Sequence, residues 1–341
     1  MRPEDQLLFA CTRQVMLEEH RQAILELNRQ YNLSWDIVFS KAEQHGVAPL
    51  VYINLCQRSS LNLDIPRPIA EHYHMVMLRN TIMKEQRVRK LEEVLAFFSE
   101  RSIEVMLFKG GVLDLLVYDN PAYVTPRDID VILRCRQDEI SGSERQAFMD
   151  YLHRTGIEYD FYEHHDMNIN GALPIDFSRI WQDAKKIDFR GQPVYIMCLE
   201  DMLISLCINS CRKRFFRLKS LLDIAETLRV VKDLQWELMA EKAIEYDCQN
   251  IIYTALLATK LTLGCNIPDK GMESLKVGKI SAAMIGSAVS LLIRYTSLPA
   301  TPDLVSFTKR RPADFSLVLP YLAYRGYQIR YKLFNEILPH R

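Results

Sequence analysis

Two groups of residues could do chemistry together. Lys109-Gly110-Gly111 follows an apolar run, Ile103 to Phe108, and Arg127-Asp128-Ile129-Asp130 opens a second apolar run that ends at Leu133. A glycine pair leaves room for backbone N–H groups to approach a phosphate, and a helix that starts there favours negative charge. On a strand, residues i and i+2 share a face, so Asp128 and Asp130 project together while Ile129 points into the core. Paired carboxylates offer the hard oxygen ligands that magnesium requires. A phosphate turn beside a D-x-D strand is the equipment for nucleotidyl transfer, in which metal ions stabilise the attacking and leaving oxygens of an in-line displacement. Lys109 and Arg127 add positive charge against a triphosphate.

A third carboxylate is usually needed near the acceptor. Asp176, in Leu173-Pro174-Ile175-Asp176-Phe177, stands on a short expected strand and is the candidate to help deprotonate the attacking oxygen. Further candidates are His164, His165 and Asp166, between two expected paired strands, Ile157 to Tyr162 and Met167 to Ile169. Arg212, Lys213, Arg214, Arg217 and Lys219 form a basic stretch at a helix junction, where Asp223 could orient one of the cations. A lone D-x-D, a lone glycine turn or a basic stretch is ordinary. The ordered combination is what points to the chemistry.

The elements that position these residues change character along the chain. Residues 4 to 100 read as helical, with one long helix from Pro66 to Arg101 that has Pro at its first turn. Strands are expected over Ile103 to Phe108, Ile129 to Leu133 and Pro174 to Phe177, with helices over Val112 to Tyr118 and Ser143 to Thr155. A hairpin over Ile187 to Met197 turns at Arg190-Gly191-Gln192-Pro193. Helices resume at Glu200 to Cys211, Phe216 to Val230, Trp236 to Tyr246, Gln249 to Leu263, Ser274 to Ser297 and Phe315 to Ile337. A connector with Lys309-Arg310-Arg311 runs from Pro299 to Pro312 and reads as a surface loop. The expected organisation is an N-terminal helical region over 1–101, an α+β core with a mixed sheet over 102–197, and a C-terminal helical domain over 198–341.

The segment Leu107-Phe108-Lys109-Gly110-Gly111, then Tyr118, then Arg127-Asp128-Ile129-Asp130-Val131-Ile132-Leu133, resembles the uncharacterised nucleotidyltransferase family of the DNA polymerase β-like superfamily. Glu200-Asp201-Met202-Leu203, Arg217 to Ala225 and His45-Gly46-Val47-Ala48-Pro49-Leu50 are similar to the family's helical parts. The resemblance implies a polymerase β-like fold, Mg2+ (or Mn2+) as cofactor and a nucleoside triphosphate as co-substrate. The transfer would move a nucleoside monophosphate to an unidentified small molecule, peptide or protein, with release of pyrophosphate. By motif position, Asp128, Asp130 and Asp176 would be the catalytic metal ligands. Gly110 and Gly111 would form the phosphate turn, assisted by Lys109, Arg127, His165, Lys213 and Arg217. Two positions depart from the family: Ser178 and Asn209 stand where histidines are common. Two alternatives stay open, a toxin-type nucleotidyltransferase acting on RNA or protein, and a catalytically degenerate nucleotide-binding module.

Bulk composition bounds these readings. Lys plus Arg number 43 and Asp plus Glu 43, so the formal net charge is zero, which counts against a general nucleic-acid binder. The hydrophobic share, 48%, supports a full core. None of the eight cysteines forms a C-x-x-C pair; Cys207 and Cys211 share a helix face without a second ligand pair, so zinc is not expected. No signal-peptide core follows Met1, and the longest nearly apolar run, Ile280 to Ile293, is too short to span a bilayer. A cytoplasmic protein without a membrane partner is expected.

Overall fold

The computed structural model describes residues 1–57, 61–124, 129–135, 150–151, 153–155, 158–164, 166–169, 171–213, 215 and 217–294. The N-terminal helices are α1 (Pro3–Cys11), α2 (Glu18–Gln30), α3 (Trp35–Gln44), α4 (Ala48–Tyr52) and α5 (Arg67–Glu100). Next come β1 (Val105–Phe108), α6 (Gly110–Leu116), β2 (Asp130–Leu133), β3 (Glu158–Phe161), α7 (Phe177–Asp183), β4 (Lys185–Phe189) and β5 (Gln192–Ile196). The chain continues through α8 (Leu199–Arg212), α9 (Leu218–Val230), α10 (Trp236–Glu245), α11 (Gln249–Leu263), α12 (Asp269–Ser274) and α13 (Lys279–Arg294).

The strands form one mixed sheet in the order β3-β2-β1-β5-β4. β1 and β2 are antiparallel with Phe108 opposite Asp130, so the end of the first apolar run meets the start of the second. Val105 to Phe108 and Val131 to Leu133 are buried throughout, which explains why both runs are continuous rather than alternating. Each such side chain contributes roughly 1.5–3 kcal/mol by leaving water. The β4–β5 hairpin turns at Arg190 and Gly191, both at positive φ, the geometry whose twist matches paired strands.

Two expected strands are absent. Residues 174 to 177 form no strand. Asp176 instead caps α7, its side chain accepting a hydrogen bond from the Ser178 amide at 2.9 Å. An aspartate aligned with a free helix amide favours the cap over a ladder. Met167 to Ile169 also form no strand. β3 pairs in parallel with β2, and residues 166–169 make consecutive turns, closed by Leu173 N–H donating to the Asn168 carbonyl at 2.9 Å. The helical stretch from residue 4 to Tyr31 is broken at residues 12–17. There buried Gln14 receives more from tertiary bonds than a helix would give it. Its amide and Nε2 donate to the Glu226 carboxylate of α9 at 2.9 Å each, and Nε2 donates to the Val117 carbonyl at 3.0 Å. Gln14 thus ties the N-terminal helices to both α6 and α9. The expectations for Ser143 to residue 149, Pro299 to Pro312 and Phe315 to Ile337 lie outside the described residues. Among the described residues no helix is long and apolar enough to cross a membrane.

Candidate functional site

Where β1 passes into α6, Lys109 adopts φ 45° and ψ −116°. A non-glycine residue there carries backbone strain of about 1–3 kcal/mol. Its carbonyl accepts from Val112 and Leu113, starting α6, and its side chain turns back across the strand ends. Nζ lies 3.2 Å from Asp130 Oδ1, 3.5 Å from Asp166 Oδ2 and 3.5 Å from His164 Nε2. Arg212, the last residue of α8, forms a close ion pair with the same Asp166 oxygen. Register explains the assembly: Asp130 opens β2 opposite Phe108, one residue before Lys109, while His164 and Asp166 follow β3, the next strand over.

His164 is buried and stacks at a tilt on Phe108, ring centroids 4.4 Å apart. Its Nδ1 accepts the Asp166 amide at 3.1 Å, which in the neutral ring places the proton on Nε2, the nitrogen facing Asp130 and Lys109. Burial pushes the Asp130 carboxyl up, but His164 Nε2, 3.7 Å away, and the Lys109 charge outweigh it and hold the group below the usual carboxylate range. Asp166 is held low in the same way, burial being overcome by Arg212 and Lys109 together. Both carboxylates are thus ionised at neutral pH.

Lys109, Asp130, Asp166 and Arg212 line one cavity of about 420 Å³, within the range of small-molecule sites. Gly110 and Gly111 form part of its wall. A Cβ on Gly110 would meet nothing within 4 Å, so no protein atom requires glycine there. Eight Lys and Arg side chains and five carboxylates line the cavity among the described residues, a surplus that suits an anionic ligand. One side is built by Lys84 ion-paired to Asp114, and by Asp223, which accepts from Tyr118 Oη at 2.5 Å and from Lys219 Nζ at 2.8 Å. The Tyr118 hydroxyl on the sheet side thereby meets the Asp223 carboxylate on α9.

The structure brings Lys109, Gly110, Gly111, Asp130, Lys213 and Arg217 to one cavity. Arg127, Asp128 and His165 lie outside the described residues. Asp176 is exposed at its helix cap and does not line the cavity. Ile129, expected to face the core, is half-buried, lines the cavity and would lie 3.8 Å from a Cβ on Gly111, because β2 begins one residue later. Of the two departures from the family pattern, Asn209 lines the cavity, whereas Ser178 is exposed and accepts from Tyr162 Oη at 3.1 Å. Sequence reasoning missed Glu158, which is opposite Asp130 in the parallel register and reaches the cavity, and it missed Lys84, Arg87 and Asp114. Only the pairing of β3 with β2 exposes Glu158. The spacing of Gly110 and Asp114, one helical turn apart, was a usable signal.

A second cluster lies elsewhere. Asp183, Cys198 and Asp201 bring three donor atoms within 4.8 Å of one another. Lys242 Nζ already sits among them, 2.6 Å from Asp201 Oδ2 and 2.7 Å from Asp183 Oδ2. Burial pushes the Cys198 thiol up to about 12, so it stays protonated, and it donates to Asp201 at 3.1 Å. This is a neutralised ion-pair centre at the base of α8.

The fold is an α+β core whose adjacent strands open on carboxylates, beside a cation-rich cavity shared with flanking helices. Its sequence narrows the class further: the model of the family described as uncharacterised nucleotidyltransferase matches residues 31–140 and 142–264, and the chain belongs to that family. No curated protein and no solved structure matches it.

Proposed function

We propose that the chain carries a polymerase β-like core and transfers a nucleoside monophosphate from a metal-bound nucleoside triphosphate to an acceptor, releasing pyrophosphate. The observation that carries this reading is the Lys109 ammonium between the ionised carboxylates of Asp130 and Asp166, at the glycine turn of a cationic cavity. An ammonium held by two hard oxygen donors marks a place that favours a cation, so the residues fit magnesium. Asp130 and Asp166, with Asp128, would hold the ion, which polarises the phosphoryl oxygens when bound. Asp166 takes the part that sequence position gave to Asp176.

The protein side chains divide the remaining work. Lys109 and Arg212, now paired to carboxylates, are placed to move onto phosphate oxygens, exchanging one ion pair for another. Lys213 adds charge along the same wall. His164, through Nε2, orients Asp130 and keeps it ionised. The acceptor oxygen loses its proton to a carboxylate at this end of the cavity, and Asp166, the more exposed of the two, is the nearer to solvent.

Incubation of the protein with α-labelled ATP, GTP, CTP and UTP, magnesium and a cell extract tests the proposal. Label should pass to an acceptor as pyrophosphate appears, and Asp130→Ala should abolish both. Equal labelling by Asp130→Ala would overturn the assignment. Triphosphate binding without pyrophosphate under any acceptor would favour a degenerate binding module.

A further inference from the structure

Two cations of the cavity each keep a buried nitrogen without a hydrogen-bond partner among the described residues. Nη1 of Arg87, on α5, and Nε of Arg217, which immediately precedes α9, are buried without a hydrogen-bond partner. Neither side chain enters an ion pair among the described residues, although both line the cavity. Their helix neighbours behave otherwise: Lys84 is taken up by Asp114 and Lys219 by Asp223. Buried guanidinium nitrogens lose water and are ordinarily repaid by an acceptor.

Arg217 is also held in a prepared position. Gly46 has φ +72°, and a Cβ there would come within 3.1 Å of Arg217 Nη2. The preceding residue clamps the start of α9, with the His45 carbonyl accepting from the Lys219 amide at 3.2 Å and His45 Nδ1 accepting from the Leu218 amide at 3.4 Å. The N-terminal His45-Gly46 turn therefore makes room for a guanidinium and fixes its backbone, yet supplies no carboxylate to it.

We propose that Arg87 and Arg217 form an oxyanion seat for the acceptor, whose phosphate or carboxylate group they bind while its nucleophile reaches the Asp130–Asp166 end. The inference rests on the nucleotidyl-transfer reading, in which Lys109 and Arg212 serve the triphosphate. It gives the flanking helical regions a role in recognising the second substrate. Two planar guanidiniums suit an oxyanion better than an ammonium would, because each can donate two parallel hydrogen bonds.

Titration calorimetry on the full chain, with inorganic phosphate as the probe, tests the seat. The titration is run with and without a saturating non-hydrolysable nucleoside triphosphate and magnesium. Phosphate should bind the wild-type protein in both cases, and Arg87→Gln should weaken it by about 10- to 100-fold while leaving triphosphate affinity unchanged. Arg87→Lys, which keeps the charge, should recover part of the binding, and unchanged thermal unfolding of both variants excludes misfolding. Competition between phosphate and the triphosphate, with weaker triphosphate binding in Arg87→Gln, would assign the seat to the nucleotide's own phosphates and overturn the proposal. Absence of phosphate binding would overturn it too. If wild-type protein binds phosphate but no triphosphate, the nucleotidyl-transfer reading fails, and the acceptor assignment with it, while an anion site remains.

Discussion

Lys109 and Lys242 each place an ammonium among carboxylates, yet their surroundings differ in every respect that matters. Lys242 and Asp201 are wholly buried; the ammonium meets two carboxylates at 2.6 and 2.7 Å, and Tyr246 Oη adds a longer bond to Asp201 at 3.4 Å. Lys109 lies at a cavity wall with longer contacts, on a strained backbone, facing two carboxylates, one of which Arg212 also claims. The first arrangement is complete and needs nothing more. The second is loose, open and costly to hold, and it leaves room for a ligand. Charge pairing alone therefore does not identify a site; incomplete pairing next to a cavity does.

The sharpest break in the comparison is Asp130→Asn. It should lower turnover by on the order of 10³-fold while costing only about 1–2 kcal/mol of stability, since one oxygen is lost from a loose cluster. Radiolabel transfer and urea unfolding measure the two effects. Lys242→Met should do the reverse. Stripping the cation from the buried Asp201 carboxylate should cost about 3–5 kcal/mol, seen as a large fall in the unfolding midpoint. The folded fraction should keep its triphosphate affinity, and a loss of affinity there would mean that the sealed cluster is part of the site.

A smaller effect isolates the strain. Lys109→Gly and Lys109→Ala both remove the ammonium, but only glycine accepts the positive φ. The glycine variant should be more stable than the alanine variant by about 1 kcal/mol, with both inactive. Equal stability would show that the backbone at residue 109 stores nothing.

The smallest effect is on pH dependence. Asp130 and Asp166 have folded values below their unfolded ones, so the unfolded chain binds more protons and stability rises with pH. Their contribution is complete above the ordinary carboxylate value of about 3.9 and is lost as pH falls below it through the folded values. Urea midpoints between about pH 5 and pH 2.5 should fall more steeply for wild type than for an Asp130→Asn, Asp166→Asn double variant.

Much of this was legible in the chain. Continuous apolar runs flagged β1 and β2 because both faces of the central strands are covered, and an unbroken period with Pro at its start fixed α5 to within a residue at either end. The glycine turn and Asp130 were legible because a strand end leaves a local signature. Asp166 and His164 were harder. They follow a strand whose partner is parallel and distant in sequence, so no local pattern tells which of His164, His165 and Asp166 faces inward. Asp176 misled for a related reason, since a carboxylate after three apolar-flanked residues looks the same before a strand end as before a helix cap. Arg87 carried no signal at all. A helical arginine reads as solvated until a cavity is seen beside it.

The central claim is that the open cluster, not the sealed one, receives metal-bound triphosphate. Calorimetric titration of a non-hydrolysable nucleoside triphosphate, with and without magnesium, into wild type, Asp130→Asn and Lys242→Met tests it directly. Magnesium-dependent binding to wild type and Lys242→Met, abolished in Asp130→Asn, is the predicted result. Undiminished binding to Asp130→Asn, or affinity indifferent to magnesium, would contradict it.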